Sequence, residues 1–220
     1  GTYNATATNV TYGAGAYGNC AIFNGTSSYI YTLPTGYNFT TTASVSFIIV
    51  DPTVSGLYSY LFSRNINTDS WSKFGLLETG GNLVLVVNGT PITLCAYSKV
   101  TANCRIALTC NNLEDKLYIN NILETTVTAA AGNDITTSNG YAMALGRAGE
   151  YSSHYFNGSI DQVEIYNKAL TPTEVSTLYT QSIPKYTADF NTPLASIPTS
   201  VYRLDHDNLT ILRQSNDSLL

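Results

Sequence analysis

The sequence predicts an all-β fold, a two-sheet antiparallel jelly-roll sandwich with one short helix near residues 172–179. Three observations predict it. Short runs of alternating, β-branched and aromatic residues recur along nearly the whole chain. Turn pairs (Asn-Gly, Gly-Gly, Asp-Pro, Asn-Asn) stand between them, the spacing of a sandwich or jelly roll. Only one stretch carries helix start signals, and no repeat of about 20–50 residues points to a propeller or solenoid.

Taken in order, "CAIFN" and "SYIYTL" are the first two strands, followed by "SVSFIIV" and "LYSYLFS". "NLVLVVNG" ends on a tight-turn signal, and "CRIALT" and "KLYIN" follow. "KLYINNILETTV" reads as two strands joined at Asn120-Asn121, a residue type that tolerates left-handed backbone. "YAMALG" and "SIDQVEIY" complete the series. In "TPTEV", Thr171 is the N-cap, Pro172 the first helical residue and Glu174 the capping-box partner. Val175, Leu178 and Tyr179 then give an apolar stripe for docking on the sandwich. The sandwich with its helix occupies residues 1–180. Residues 181–220 form a C-terminal extension in which "SVYRLDHDNLTIL" alternates again and "DHDN" can turn a hairpin. Those strands either lie on the same sandwich or form an arm that reaches a partner.

Charged residues make up 11% of the 220, against about 25% in ordinary soluble domains. Ser, Thr and Asn take their place. A net charge of -5 opposes nucleic-acid binding, which needs a basic face. No run of about 18 apolar residues spans a membrane, and no leader segment is expected on the chain. The four cysteines, Cys20, Cys95, Cys104 and Cys110, lack metal-site spacing. They form disulfides if the protein is exported, with three connectivities open, or else are buried thiols. Cys104 and Cys110 fall on one face of their strand. Eight Asn-x-Ser/Thr acceptors stand at Asn4, Asn9, Asn24, Asn38, Asn88, Asn157, Asn208 and Asn216. Chance in so Asn- and Thr-rich a chain gives about five. Asn24, Asn88 and Asn157 are also Asn-Gly pairs, the preferred hairpin turn. Together these features favour an extracellular, cell-surface or virion-surface glycoprotein.

In "SIDQVEIY", strict alternation groups Asp161 with Val163 and Ile165, and Glu164 with Gln162 and Tyr166. An Asp on an apolar face needs hydrogen-bond partners, so Asp161 reads as an acceptor for turn backbone. Glu164 reads as a solvated residue. Glycoside hydrolysis needs two carboxyl groups about 5–9.5 Å apart. An E-x-D-x-x-E run, whose first Glu and Asp one strand would point the same way, is missing. Alternation sends Glu114 and Asp115, and likewise Asp161 and Glu164, to opposite faces. With no G-x-S-x-G elbow either, the sequence predicts no enzyme.

Two stretches carry a family resemblance. "AYGNCAIFNGTSSYIYTL" places Gly18, Ala21, Phe23, Gly25 and Tyr29 as the laminin G-like, concanavalin A-like jelly-roll domains begin. "FNGSIDQVEIYNKALTPTEV" places Gly158, Ile160, Asp161, Val163, Ile165, Tyr166, Ala169, Leu170 and Glu174 as they end. The resemblance covers roughly residues 10–180. Two departures stand at core positions: Ile48 replaces a Trp, and a Trp-x-His is replaced around Asn103 to Arg105.

The resemblance implies a non-catalytic recognition module whose partner is a glycan or glycoprotein, with calcium in some relatives. Two loops hold suitable chemistry, aromatic platforms beside polar groups. "NTDSWSKF" offers Trp71 and Lys73, and "GRAGEYSSHYF" offers Arg147, Tyr151, His154 and Tyr155. Asp69 and Glu150 match calcium ligands of pentraxin-like relatives, whereas Ser70 and Ala148 replace others. No cofactor is required, and calcium is the one ion the resemblance brings in. The competing expectation is a structural subunit of a virion, surface layer or filament, self-assembled through the C-terminal extension.

Overall fold

The computed structural model describes residues 3–32, 42–54, 58–64, 74–111, 113–128, 142–148, 154–181, 201–205 and 210–214. The strands are β1 (Tyr3–Thr8), β2 (Thr11–Ala14), β3 (Asn19–Asn24), β4 (Tyr29–Thr32) and β5 (Ala43–Pro52). Then come β6 (Ser59–Arg64), β7 (Phe74–Thr79), β8 (Asn82–Val87), β9 (Thr90–Ala96) and β10 (Cys104–Cys110). β11 (Glu114–Ile119), β12 (Ile122–Thr128), β13 (Met143–Leu145) and β14 (Asn157–Tyr166) precede helix α1 (Pro172–Gln181). A terminal pair, β15 (Val201–Asp205) and β16 (Thr210–Gln214), follows.

Two antiparallel sheets of seven strands form the jelly-roll sandwich. The first runs β2-β3-β14-β5-β10-β11-β12 and the second β1-β4-β13-β6-β7-β8-β9. Their inner faces meet in one apolar core that includes Phe23, Phe47, Ile49, Phe62, Phe74, Leu85, Ile106 and Phe156. Strands β1, β2, β7 and β9 were not among the sequence runs. β9 carries Pro91, which cannot donate to a ladder and suits the sheet edge β9 occupies. The Asn120-Asn121 turn joins β11 to β12 with both residues at positive φ (47° and 68°), as expected of a tight hairpin. Of the three Asn-Gly pairs that are also acceptor sites, only Asn88-Gly89 makes such a turn, between β8 and β9. Asn157-Gly158 lies within β14, and Asn24 caps a wider loop by accepting from the N–H groups of Thr26, Ser27 and Ser28.

Helix α1 begins as the sequence predicts. Thr171 Oγ1 accepts from the Glu174 N–H at 3.3 Å, and a Glu174 carboxylate oxygen accepts from the Thr171 N–H at 2.9 Å. Val175 is buried and Leu178 packs beside it on Ala107, Tyr118 and Tyr166, the outer face of the first sheet. The helix runs to Gln181, two residues beyond the expected end. Strands β15 and β16 pair with the sandwich: Glu164–Tyr166 of β14 against Val201–Arg203, and Tyr3–Asn4 of β1 against Thr210–Ile211. The β15–β16 pair thus links the two sheets into one hydrogen-bonded path, while the turn expected at "DHDN" lies outside the described residues beyond Asp205.

Strand β14 corrects the alternation expectation. Asp161 pairs with Ile48 of β5, but the next partners are Glu164 and Ser46, so β14 holds one extra residue. Gln162 takes it up at φ 49°, the geometry of a bulge. Ile160, Val163 and Ile165 therefore all face the core, while Asp161, Glu164 and Tyr166 share the outer face. Glu164 is not solvated. It is 2% exposed and accepts from Arg105 at 3.3 Å and from the Tyr166 hydroxyl at 3.0 Å. Arg105 also donates to Ser46 Oγ at 2.9 Å. This buried pair occupies the positions around Ile48 and Arg105 that depart from the family pattern. Asp161 does serve turn backbone, as expected: Oδ2 accepts from the Tyr17 N–H at 3.0 Å and Oδ1 from the Gln162 N–H at 2.8 Å.

The disulfide expectation is also corrected, for no disulfide joins any of the four cysteines. Cys104 and Cys110 do lie on the core face of β10, but at its two ends. Six residues of strand separate them by about 20 Å, far beyond the roughly 4.4–6.8 Å between Cα atoms that a disulfide spans. Burial raises the thiol of Cys20, holds that of Cys104 at about 11 and raises that of half-buried Cys95.

Candidate functional site

Residues on the outer face of the second sheet gather around the loop that follows β13. β4 alternates Ile30 into the core with Tyr29 and Tyr31 outward. β13 pairs with β4 on one side (Ala144 to Tyr31) and β6 on the other (Ala144 to Ser63). At Gly146 the chain turns, with φ 79°. Its N–H donates to the Leu61 carbonyl at 3.2 Å and its carbonyl accepts from Phe156 N–H at 2.9 Å. A β-carbon there would stand 2.2 Å from Phe23 Cδ1, so the turn has room for glycine only. Ser63 Oγ then donates to the Arg147 carbonyl at 2.9 Å and holds the loop over the sheet.

Arg147 lies on the tyrosines. Its guanidinium carbon is 3.6 Å from the Tyr29 ring centroid and 5.3 Å from that of Tyr31, within cation–π range. The residue is 9% exposed, and its Nε is a buried donor with no acceptor. Ala148 packs next to it on Tyr60, Leu77, Val84 and Val86, an apolar floor on the same face.

The second arm of this loop returns along β6. The Tyr60 N–H donates to the His154 carbonyl at 3.2 Å, and Ser59 Oγ to that of Tyr155 at 3.4 Å. His154 sits at φ 61° with its ring edge-on to Tyr58 (centroids 5.3 Å apart) and tilted to Tyr60 (6.3 Å). Burial pulls the imidazole below its ordinary 6.5, so the ring is neutral at pH 7. Tyr58 is 38% exposed, and His154 and Tyr155 are half-buried. The arrangement offers one cation, a neutral imidazole and several aromatic faces.

Of the residues picked from sequence, the structure brings Arg147, His154 and Tyr155 to this face. Trp71, Lys73, Tyr151, Asp69 and Glu150 lie outside the described residues, as do the acceptors Asn38, Asn208 and Asn216. Among the described residues no group of three His, Cys, Asp or Glu could hold a metal ion. No described helix is long and apolar enough to cross a membrane. Sequence reasoning missed Tyr29, Tyr31 and Tyr58. The signal for the first two was there: "SYIYTL" puts two tyrosines at period two on the face opposite Ile30. The bulge brings the carboxylates of Asp161 and Glu164 to one face, against expectation, but backbone N–H groups take up the first, and Arg105 and Tyr166 the second.

The outward tyrosines, the Asp161-anchored last strand and the capped helix all fall within residues 24–176, which a model described as the concanavalin A-like lectin/glucanases superfamily matches. The chain belongs to that superfamily. Solved structures agree on the fold. The binding domain of botulinum neurotoxin serotype D superposes with a TM-score of 0.62 at 18% identity, over 81% of this chain and 46% of its own. That of Paraclostridial Mosquitocidal Protein 1 gives 0.61 at 21%, over 81% and 47%. Domain 4 of AbnA, a GH43 extracellular arabinanase from Geobacillus stearothermophilus solved with arabinotriose, gives 0.61 at 19%, over 80% and 87%. The chain thus spans about half the length of the two toxin domains. No curated protein matches it. The two toxin structures are binding domains.

Proposed function

We propose that this protein is a non-catalytic recognition module of extracellular or surface proteins and that it binds carbohydrate. The observation that carries the reading is the group on the outer face of the second sheet, Arg147 on Tyr29 and Tyr31 beside Tyr58, His154 and Tyr155. Sugars present apolar C–H faces to aromatic rings and hydroxyls to a few fixed polar groups, and this face holds both. Superfamily membership and the arabinotriose-bound neighbour support it. The test is a glycan array probed with the purified chain, once with calcium and once with chelator. Reproducible binding to one sugar class is the expected result. Loss with chelator assigns calcium to Asp69 and Glu150, and a blank array under both conditions refutes the reading.

One observation favours a second reading, a self-assembling structural subunit. The β15–β16 hairpin holds five residue pairs within itself but only three with β14 and two with β1. So short a docking register suits exchange onto a neighbouring copy's sheet edges. Light scattering across a concentration series, with and without residues 182–220, tests it. A monomer at every concentration in both forms rules it out.

A further inference from the structure

We propose that the ligand of this face is an acidic glycan, held through a sugar carboxylate by the Arg147 guanidinium; this rests on the carbohydrate reading. Of the three buried arginines, Arg64, Arg105 and Arg147, the last two make the contrast. Arg105 has a carboxylate partner in Glu164 and a hydroxyl in Ser46. Arg147 is nine-tenths buried as well, yet among the described residues no carboxylate pairs with it. Its guanidinium has the faces of Tyr29 and Tyr31 in place of a carboxylate; a buried Nε without an acceptor is common to Arg64, Arg105 and Arg147 and does not distinguish it. Burying a cation without a counter-charge is costly, and an incoming anion removes that cost.

A guanidinium carbon 3.6 Å from a ring centroid suits stacking, and a stacked guanidinium keeps its donors in its own plane, the geometry that grips two oxygens of one carboxylate. A single cation matches a single negative charge. Sulfate clusters and phosphate groups call for several cations, and among the described residues of this chain of net charge -5 Arg147 is the one cation placed at this face. The surroundings then select a sugar as the carrier of the carboxylate. Tyr58 and half-buried Tyr29 and Tyr31 give platforms for pyranose C–H faces, and the neutral His154 ring offers a donor and an acceptor for hydroxyls without repelling or attracting charge.

The experiment is calorimetric titration of the full chain with hexuronate and sialyl oligosaccharides, their methyl esters, the matching neutral oligosaccharides and an acetylated oligoglutamate peptide. Expected is binding of one or more acidic sugars, weaker by about tenfold or more for its ester and neutral counterparts. Arg147→Lys keeps the charge but not the two-pronged geometry and should weaken that binding by about tenfold. Tyr58→Ala, at the exposed rim, should weaken acidic and neutral sugars alike with the unfolding midpoint unchanged. Equal binding of acid, ester and neutral sugar overturns this inference and leaves the carbohydrate reading standing. Oligoglutamate binding as tightly as the sugars overturns the choice of ligand. No binding of any saccharide overturns both. Should Arg147→Lys fail to fold, the comparison of acid with ester on the unaltered chain decides alone.

Discussion

Replacing Gly146 by alanine tests how the candidate site is built. The residue sits at φ 79°, where a side chain costs about 1–2 kcal/mol of backbone strain. The new β-carbon would also stand 2.2 Å from Cδ1 and 2.4 Å from Cε1 of Phe23, inside van der Waals contact. Phe23 is fully buried and its ring packs on Phe156 at 6.0 Å between centroids, so it has little room to give. Overpacking of that kind costs about 1–3 kcal/mol. The expected loss is therefore about 2–5 kcal/mol in urea unfolding, at an unchanged denaturant slope. A double-mutant cycle separates the two causes. Phe23→Val removes both ring atoms at closest approach, so Gly146→Ala in that background should cost only the strain, leaving a coupling of about 1–3 kcal/mol. A coupling under about 0.5 kcal/mol would mean that the two residues do not meet and would refute the placement of this loop.

Four further outcomes follow from the packing. Glu164→Gln strips the counter-charge from buried Arg105 and should cost about 3–5 kcal/mol, whereas Arg105→Met with Glu164→Leu should recover most of it; urea midpoints of both variants and the unaltered chain check this. Thr171→Ala removes the helix cap and should cost about 1 kcal/mol. Burial works against ionisation of Glu174, but Lys168 and Thr171 outweigh it and hold its carboxyl below the ordinary 4.5. Its contribution is then present above that pH and lost as pH falls through the lower folded value, so an acid titration of stability should fall less steeply in Glu174→Gln. Thiol titration without reductant should find four thiols in denaturant, with half-buried Cys95 reacting first in the native protein; fewer than four would restore a disulfide.

Much of the fold was legible because its signals are local. The capping box spans Thr171 to Glu174, and the Asn120-Asn121 turn lies between two adjacent strands. Asp161 was legible for a chemical reason: a carboxylate within an apolar strand must be bonded, and it is, to the Tyr17 and Gln162 N–H groups. Its face was not legible, because alternation assumes an unbroken register and one residue in left-handed geometry at Gln162 reverses it. Glu164 was misread for that reason and for a second one, since its partner Arg105 is 59 positions away in the chain. The candidate site divides in the same way. The loop residues Arg147, His154 and Tyr155 could be picked by chemistry, but the rings they rest on, Tyr29, Tyr31 and Tyr58, come from β4 and the approach to β6, and only cross-strand pairing shows that they meet.

The two outer faces of the sandwich are unequal, and this bears on where function can reside. On the first sheet the helix covers Ala107, Tyr118 and Tyr166, and every charge beneath it is matched: Arg105 by Glu164, Asp161 by turn backbone. A ligand arriving there would have to displace a docked helix and break a buried ion pair, each costing more than an ordinary surface contact returns. The second sheet offers the opposite balance. Its outer face carries an arginine whose charge no described carboxylate matches, resting on half-buried tyrosines, and a rim at Tyr58 that stands open. Among the described residues no carboxylate stands against Arg147, so on the proposal made above an anionic ligand supplies its counter-charge. Glu164 thus closes one face, while on the other the proposal gives Arg147 a partner from outside.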